Sequence, residues 1–157
     1  METARINVPG SASPPEEPLR QLDIFEGKWN VEVEKLKGAR SGQEEIVRGI
    51  ETYDWLSGGH FMVNRWSRKV GMDVHIGIGV VGFDPSTGYF TANHFDNRGA
   101  ARSYNVTVSR LTWKYMGTQE RARIDFTPDG RTFVAFWEGS DDGIKWEPLY
   151  RLKGNKI

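Results

Sequence analysis

The feature that most constrains this chain is a change of rhythm at Gly27, after which apolar and polar residues alternate. In KWNVEVEKL, Trp29, Val31 and Val33 fall on one face, and Asn30, Glu32 and Glu34 on the other. A period of two marks a half-buried strand, because successive side chains leave an extended backbone on opposite sides. The KGARSGQ segment is its turn, and further strand-like runs follow at 44–56, 60–69, 73–83, 89–96, 101–108, 111–117, 120–127, 131–138 and 144–153. Between the runs stand residues that turn a chain: Ser57-Gly58-Gly59, Asp84 to Gly88, Asn97-Arg98-Gly99, Pro128-Asp129-Gly130 and Asp141-Asp142-Gly143. Eighteen glycines in 157 residues weigh against a helical bundle, where each weakens its helix by about 1 kcal/mol. About ten short strands with tight connections predict an all-β antiparallel meander. Such a sheet removes its edges by closing into an up-and-down barrel.

Residues 1–18 are different. Pro9, Pro14, Pro15 and Pro18 stand among small and charged residues, a composition that predicts a flexible tail. Leu19, Leu22, Ile24 and Phe25 then predict one or two helical turns ahead of a single barrel domain over 19–157. Twenty-one basic and 21 acidic residues leave no net charge, so nothing pulls the chain in bulk toward nucleic acid or an anionic membrane. The absence of Cys excludes disulfides, thiolate metal sites and Cys nucleophiles. No apolar run approaches the ~20 residues that cross a bilayer, and the N-terminus has no apolar leader core, so a cytoplasmic location is the expectation. The string Gly77-Ile78-Gly79-Val80-Val81-Gly82 imitates the dinucleotide pattern G-x-G-x-x-G. That motif works only between a strand and a helix. Here a Pro-containing turn and another strand follow, so the glycines mark places where a wall thins or a neighbour packs close.

Several pieces recur in order: Gly27-Lys28-Trp29, Leu56-Ser57-Gly58-Gly59-His60-Phe61, Val81 to Tyr89, Asp142-Gly143-Ile144-Lys145-Trp146 and Tyr150-Arg151. Together they resemble a family of small bacterial lipocalin-like proteins that carries an unknown-function label, over roughly residues 19–153. The resemblance implies a calycin-type barrel of about ten antiparallel strands with a short N-terminal helix near one end. It also implies a structural pair near the closed end, Trp29 with a basic residue from the last strand, here Arg151. The family brings no general reaction. The neighbouring nitrobindins hold haem through a His near the C-terminus, but IKWEPLYRLKG contains none. Haem is therefore a lesser alternative, through His60, His75 or His94, and neither a cofactor nor a metal is expected.

Pairing Phe83 with Tyr89 across the Asp84–Gly88 turn separates two faces. The more continuously apolar one holds Val74, Ile76, Ile78, Val80, Phe90, Ala92, His94 and Asp96, and it is expected to face inward. A one-residue slip of register inverts that choice. Pairing across the 69–72 turn adds Phe61, Val63 and Arg65 to the same side. Phe61, Arg65, Phe90, His94 and Asp96 are thus the candidate ligand-binding residues. Asp96 equally suits the start of the Asn97-Arg98-Gly99 turn. Trp55, Trp66, Trp113, Trp137 and Trp146 suit strand packing and can also flank a flat ligand. The acidic pairs Glu16-Glu17, Glu44-Glu45 and Asp141-Asp142 are expected to be solvated. No catalytic motif is present. The leading expectation is a barrel binding a small apolar or mixed-polarity molecule. The alternative is an isomerase- or cyclase-type enzyme with His94, Asp96 and Arg65 as acid, base and anion clamp. A homodimer through outward apolar residues at 73–83 or 131–138 is the assembly reading.

Overall fold

The computed structural model describes residues 17–36 and 46–157. The expected tail up to residue 16, the turn at 37–43, Glu16 and the Glu44-Glu45 pair lie outside the described residues. A 3-10 helix, Glu17–Phe25, leads into ten strands: β1 (Gly27–Lys35), β2 (Ile46–Trp55), β3 (Phe61–Val70), β4 (Asp73–Asp84), β5 (Tyr89–Asp96), β6 (Ala101–Ser109), β7 (Thr112–Met116), β8 (Glu120–Phe126), β9 (Thr132–Gly139) and β10 (Glu147–Lys156). Each strand pairs antiparallel with its chain neighbours, and β1 pairs with β10 to close the barrel. The helix takes in Glu17 and Pro18, both expected in the tail.

One end of the barrel is plugged by the helix. Leu19, Leu22 and Phe25 recur on one side of it and are all buried. The Phe25 ring packs against Tyr53, Trp113 and Phe126, with centroids 5.2, 5.1 and 4.9 Å away. The Trp29 indole, fully buried, donates its Nε1 hydrogen to the Phe25 carbonyl at 2.8 Å, tying plug to barrel. The cation beside Trp29 is Lys156 rather than Arg151: its Nζ lies 5.6 Å from the ring centroid. The register explains the correction, since Trp29 sits directly opposite Lys156, whereas Arg151 pairs with Glu34 and lies over the Phe136 ring. The last strand also starts three residues later than its pattern suggests. Asp142 accepts backbone N–H bonds from Ile144 and Lys145 at 2.8 and 2.9 Å, extending the turn.

The inward face of β4 is the one not expected. Asp84 pairs with Tyr89 and Phe83 with Phe90, one residue from the anticipated register. Asp84 holds this tighter turn by accepting from Ser86 N and Oγ, at 2.9 and 2.6 Å, and from Gly88 N. Phe90, Ala92, His94 and Asp96 of β5 therefore point inward beside His75, Gly77, Gly79 and Val81 of β4. Val74, Ile76 and Ile78 face outward and are exposed. Phe61 and Arg65 share that outer face, opposite Gly82 and Ile78, and both are exposed. Among the described residues, no helix is long and apolar enough to cross a membrane.

Candidate functional site

The half of the barrel away from the plug is hollow. Its cavity of about 300 Å³ is lined along β3 by Asn64, Trp66 and Arg68, and reaches Lys35, Arg98 and Ala100 at the mouth. The residues follow from period two: on β3 the inward positions are Met62, Asn64, Trp66 and Arg68, and three of the four carry polar atoms. On β4 the same levels are Gly77 and Gly79, opposite Trp66 and Asn64. A Cβ at Gly77 would overlap the Trp66 indole, and one at Gly79 would lie 2.8 and 3.0 Å from His94 Cδ2 and Nε2. The two glycines are thus the floor on which Trp66 and His94 lie. Gly82, third in the false nucleotide string, gives room to Phe61 on the outer surface.

A buried ion pair stands in this wall. Glu51, 3% exposed, receives Arg68 Nη2 on Oε1 at 2.5 Å and the Tyr53 hydroxyl on Oε2 at 3.1 Å. Burial opposes the Arg68 charge, but Glu51 outweighs it and the guanidinium pKa lies above its ordinary value. Tyr53 is pushed up by burial and by the neighbouring Glu51 carboxylate. Burial likewise raises Tyr150 to about 12, against the opposing Arg68 charge. Those phenols are neutral at pH 7, and the carboxylate and guanidinium cancel. This stretch of the wall is polar without net charge; farther along, the lining carries the Arg102–Glu120 pair and, at the mouth, Lys35 and Arg98.

His94 completes it. Its ring lies among Tyr104, Trp66, Tyr115 and Trp137, with centroids 5.0, 5.4, 6.1 and 6.4 Å away. Burial, reinforced by the Arg68 charge, lowers its pKa to about 4, so the imidazole is neutral at pH 7. The acid–base partnership expected of His94 and Asp96 does not form. Asp96 lies 3.0 Å from His75 Nε2 instead and accepts backbone N–H bonds from Arg98 and Ala100, so it is the turn-starting residue. Burial works to raise the Asp96 pKa, but the His75 and backbone bonds outweigh it and hold it low. Arg65, on the outer face, does not meet Asp96. The three histidines do not gather as haem ligands either: the Nε2–Cδ2 edge of His94 is laid against Gly79, His75 is engaged by Asp96, and His60, just before β3, is not among the residues that line the cavity. Of the five candidates, His94 and Asp96 line the cavity, Phe90 is buried below it against Trp113 at 5.3 Å, and Phe61 and Arg65 lie outside.

Among the described residues, three polar atoms of this region are buried without a hydrogen-bond partner: Asn64 Oδ1, Trp66 Nε1 and Arg68 Nε. All three come from consecutive inward positions of β3, and all three residues line the cavity. A buried donor or acceptor left unpaired costs about 1–3 kcal/mol, so their gathering on one strand points to something that completes them. Sequence reasoning passes over Asn64, Arg68 and Glu51. The signal is the alternation Met62-Asn64-Trp66-Arg68, legible as an inner face only once the β4–β5 register is known.

Among solved structures, the chain is similar to Rv2717c from M. tuberculosis, with TM-score 0.63 and 10% identity over 91% of this chain and 99% of that one. It is also similar, at TM-score 0.47 and 12% identity, to a de novo designed fluorescence-activating β-barrel, over 86% of this chain and 95% of that one. The Rv2717c likeness is one of fold alone. No curated protein matches the chain. A family model described as "Protein of unknown function (DUF1579)" matches residues 14–130, and the chain belongs to that family.

Proposed function

We propose that this is a cytoplasmic lipocalin-like binding protein that holds a small, uncharged molecule of mixed polarity inside the barrel. The observation that carries the reading is the set of three unpartnered buried polar atoms on β3, all on residues that line a cavity of about 300 Å³. Structural barrels fill with side chains, whereas this one packs its plugged half and leaves polar groups around a void in the other. Beside β3 the Glu51 and Arg68 charges cancel, and a charged occupant of either sign seated against them would disturb the pair.

The test is titration with 2-naphthol, followed by quenching of the buried tryptophans and by amide chemical shifts. Saturable binding is expected, with shifts at inward residues of β3, β5 and β9. Replacing Ala135, a buried lining residue, by Phe should fill the space and abolish it. Saturation that survives in folded Ala135→Phe, or shifts confined to the outer surface, would reject an interior site.

A further inference from the structure

The same wall narrows the chemical class of the occupant, an inference that rests on the interior-binding reading. Aliphatic residues such as Val47, Val81 and Leu152 share the lining, but six rings gather beside β3: Trp66, His94, Tyr104, Tyr115, Trp137 and Tyr150. Trp137 and Tyr150 lie nearly parallel, with centroids 6.0 Å apart and planes 28° from each other. Ring faces and edges favour a flat partner, which meets them by offset stacking or edge-to-face contact. Along one side of this box runs β3, with an acceptor at Asn64 Oδ1, then a donor at Trp66 Nε1, then a donor at Arg68 Nε.

The order of these atoms matters. Inward positions on a strand are about 6.6 Å apart at the backbone, so side chains from neighbouring levels can converge on adjacent atoms of one molecule. The strand offers acceptor then donor, so the complementary edge must offer donor then acceptor. A carboxylate has acceptors only and would leave Asn64 Oδ1 unanswered. An alkyl chain would leave all three unanswered. An aliphatic alcohol can answer both kinds of group through one oxygen, but it presents no plane to the rings; a phenol such as 2-naphthol presents the plane but must serve both groups through a single oxygen.

We infer that the occupant is an uncharged planar heterocycle carrying adjacent N–H and C=O groups on one edge, a cyclic amide or its equivalent, set with that edge against Asn64 and Trp66. The Glu51–Arg68 pair closes the row behind it, with Arg68 Nε as a further donor to the carbonyl.

Four probes of similar size separate the possibilities by calorimetry and tryptophan quenching: quinolin-2-one, naphthalene, 2-naphthoate and 1-octanol. Quinolin-2-one is expected to bind at least about tenfold more tightly than the other three, the worth of one or two well-made hydrogen bonds. Trp66→Phe, which keeps a ring but deletes the N–H, should weaken quinolin-2-one about tenfold more than it weakens naphthalene. Equal binding of naphthalene and quinolin-2-one in the native protein overturns the donor–acceptor edge while leaving the interior site standing. Preference for 2-naphthoate overturns neutrality, and preference for 1-octanol overturns planarity, again without touching the site. If none of the four binds, the interior reading falls together with the inference.

Discussion

Gly77→Ala is the smallest change that tests whether the site is built as described. The new methyl would fall inside the van der Waals shell of Trp66 Cζ2 and Cε2 and 2.6 Å from Cη2. That contact is with the body of a ring 8% exposed, not with the end of a mobile chain. The indole has to leave its place or β4 has to bend away from β3. Overpacking of this kind costs about 1–3 kcal/mol. The backbone is no obstacle, since Gly77 does not use a positive φ, and Ala returns about 0.4–1 kcal/mol through the unfolded state. The expected net loss is about 1–2 kcal/mol, and for a chain of 157 residues each kcal/mol lowers Tm by about 2–4 °C. Thermal unfolding followed in the far-ultraviolet should therefore show a fall of roughly 2–8 °C. Near-ultraviolet circular dichroism should change as well, because Trp66 loses its fixed setting. In a Trp66→Ala background the same substitution should be neutral or slightly stabilising, giving a coupling close to the whole single-mutant loss. A Gly77→Ala protein as stable as the parent, with an unchanged aromatic spectrum, would refute the account of why a glycine stands there.

Other outcomes follow from the same geometry. Glu51→Gln strands the Arg68 charge in the wall and should cost about 3–5 kcal/mol in urea unfolding; adding Arg68→Met should recover most of it, and no recovery would mean that the pair is not the unit of stability. His94, with its pKa lowered to about 4, stays neutral while an unfolded His takes up a proton near 6.5. Its contribution to stability is therefore full above pH 6.5 and declines as pH falls toward 4, by about 3 kcal/mol in all. Unfolding free energies measured between pH 7.5 and 4.5 should show this slope in the parent and lose it in His94→Gln, and parallel profiles would rule out a buried neutral imidazole. At the closed end, Lys156→Met should lower stability by about 0.5–1 kcal/mol through loss of the cation over Trp29. Arg151→Met should do less, and the reverse ranking in thermal melts would restore Arg151 to the role its sequence context suggests.

Ten strands are legible because alternation is a local property. Trp29, Val31 and Val33 announce their face without help from the rest of the chain. The turns are legible for the same reason, since Gly88 and Gly130 supply positive φ where the chain reverses. Which face of β4 looks inward is not a local property. Val74, Ile76, Ile78 and Val80 are the more apolar set, and hydrophobicity alone turns them to the core. A one-residue difference in the turn after Asp84 decides otherwise, and it carries Phe61 and Arg65 outward with them. The β5 set of Phe90, Ala92, His94 and Asp96 does face inward, because its own alternation agrees with the closed structure. The Trp29 partner escapes sequence reasoning for a related reason, because a cross-strand neighbour depends on the register of β1 against β10.

That failure is informative about the molecule. A strand whose inner face reads His-x-Gly-x-Gly-x-Val and whose outer face reads Val-x-Ile-x-Ile-x-Val inverts the usual arrangement. Glycine inside and β-branched residues outside are poor choices for a packed core, since the inner positions bury almost no side-chain area. They are good choices where a wall must stand back to let Trp66 and His94 lie flat. The plugged half shows what this chain does when stability alone is served, with Phe25, Trp29, Trp113, Phe126 and Phe133 interlocked and buried. The other half keeps a buried ion pair that an apolar pair of similar volume often matches or betters in stability. It also keeps three buried polar atoms without partners on one strand. Each departure from a stable core falls on the same cavity, which is where stability is given up for binding.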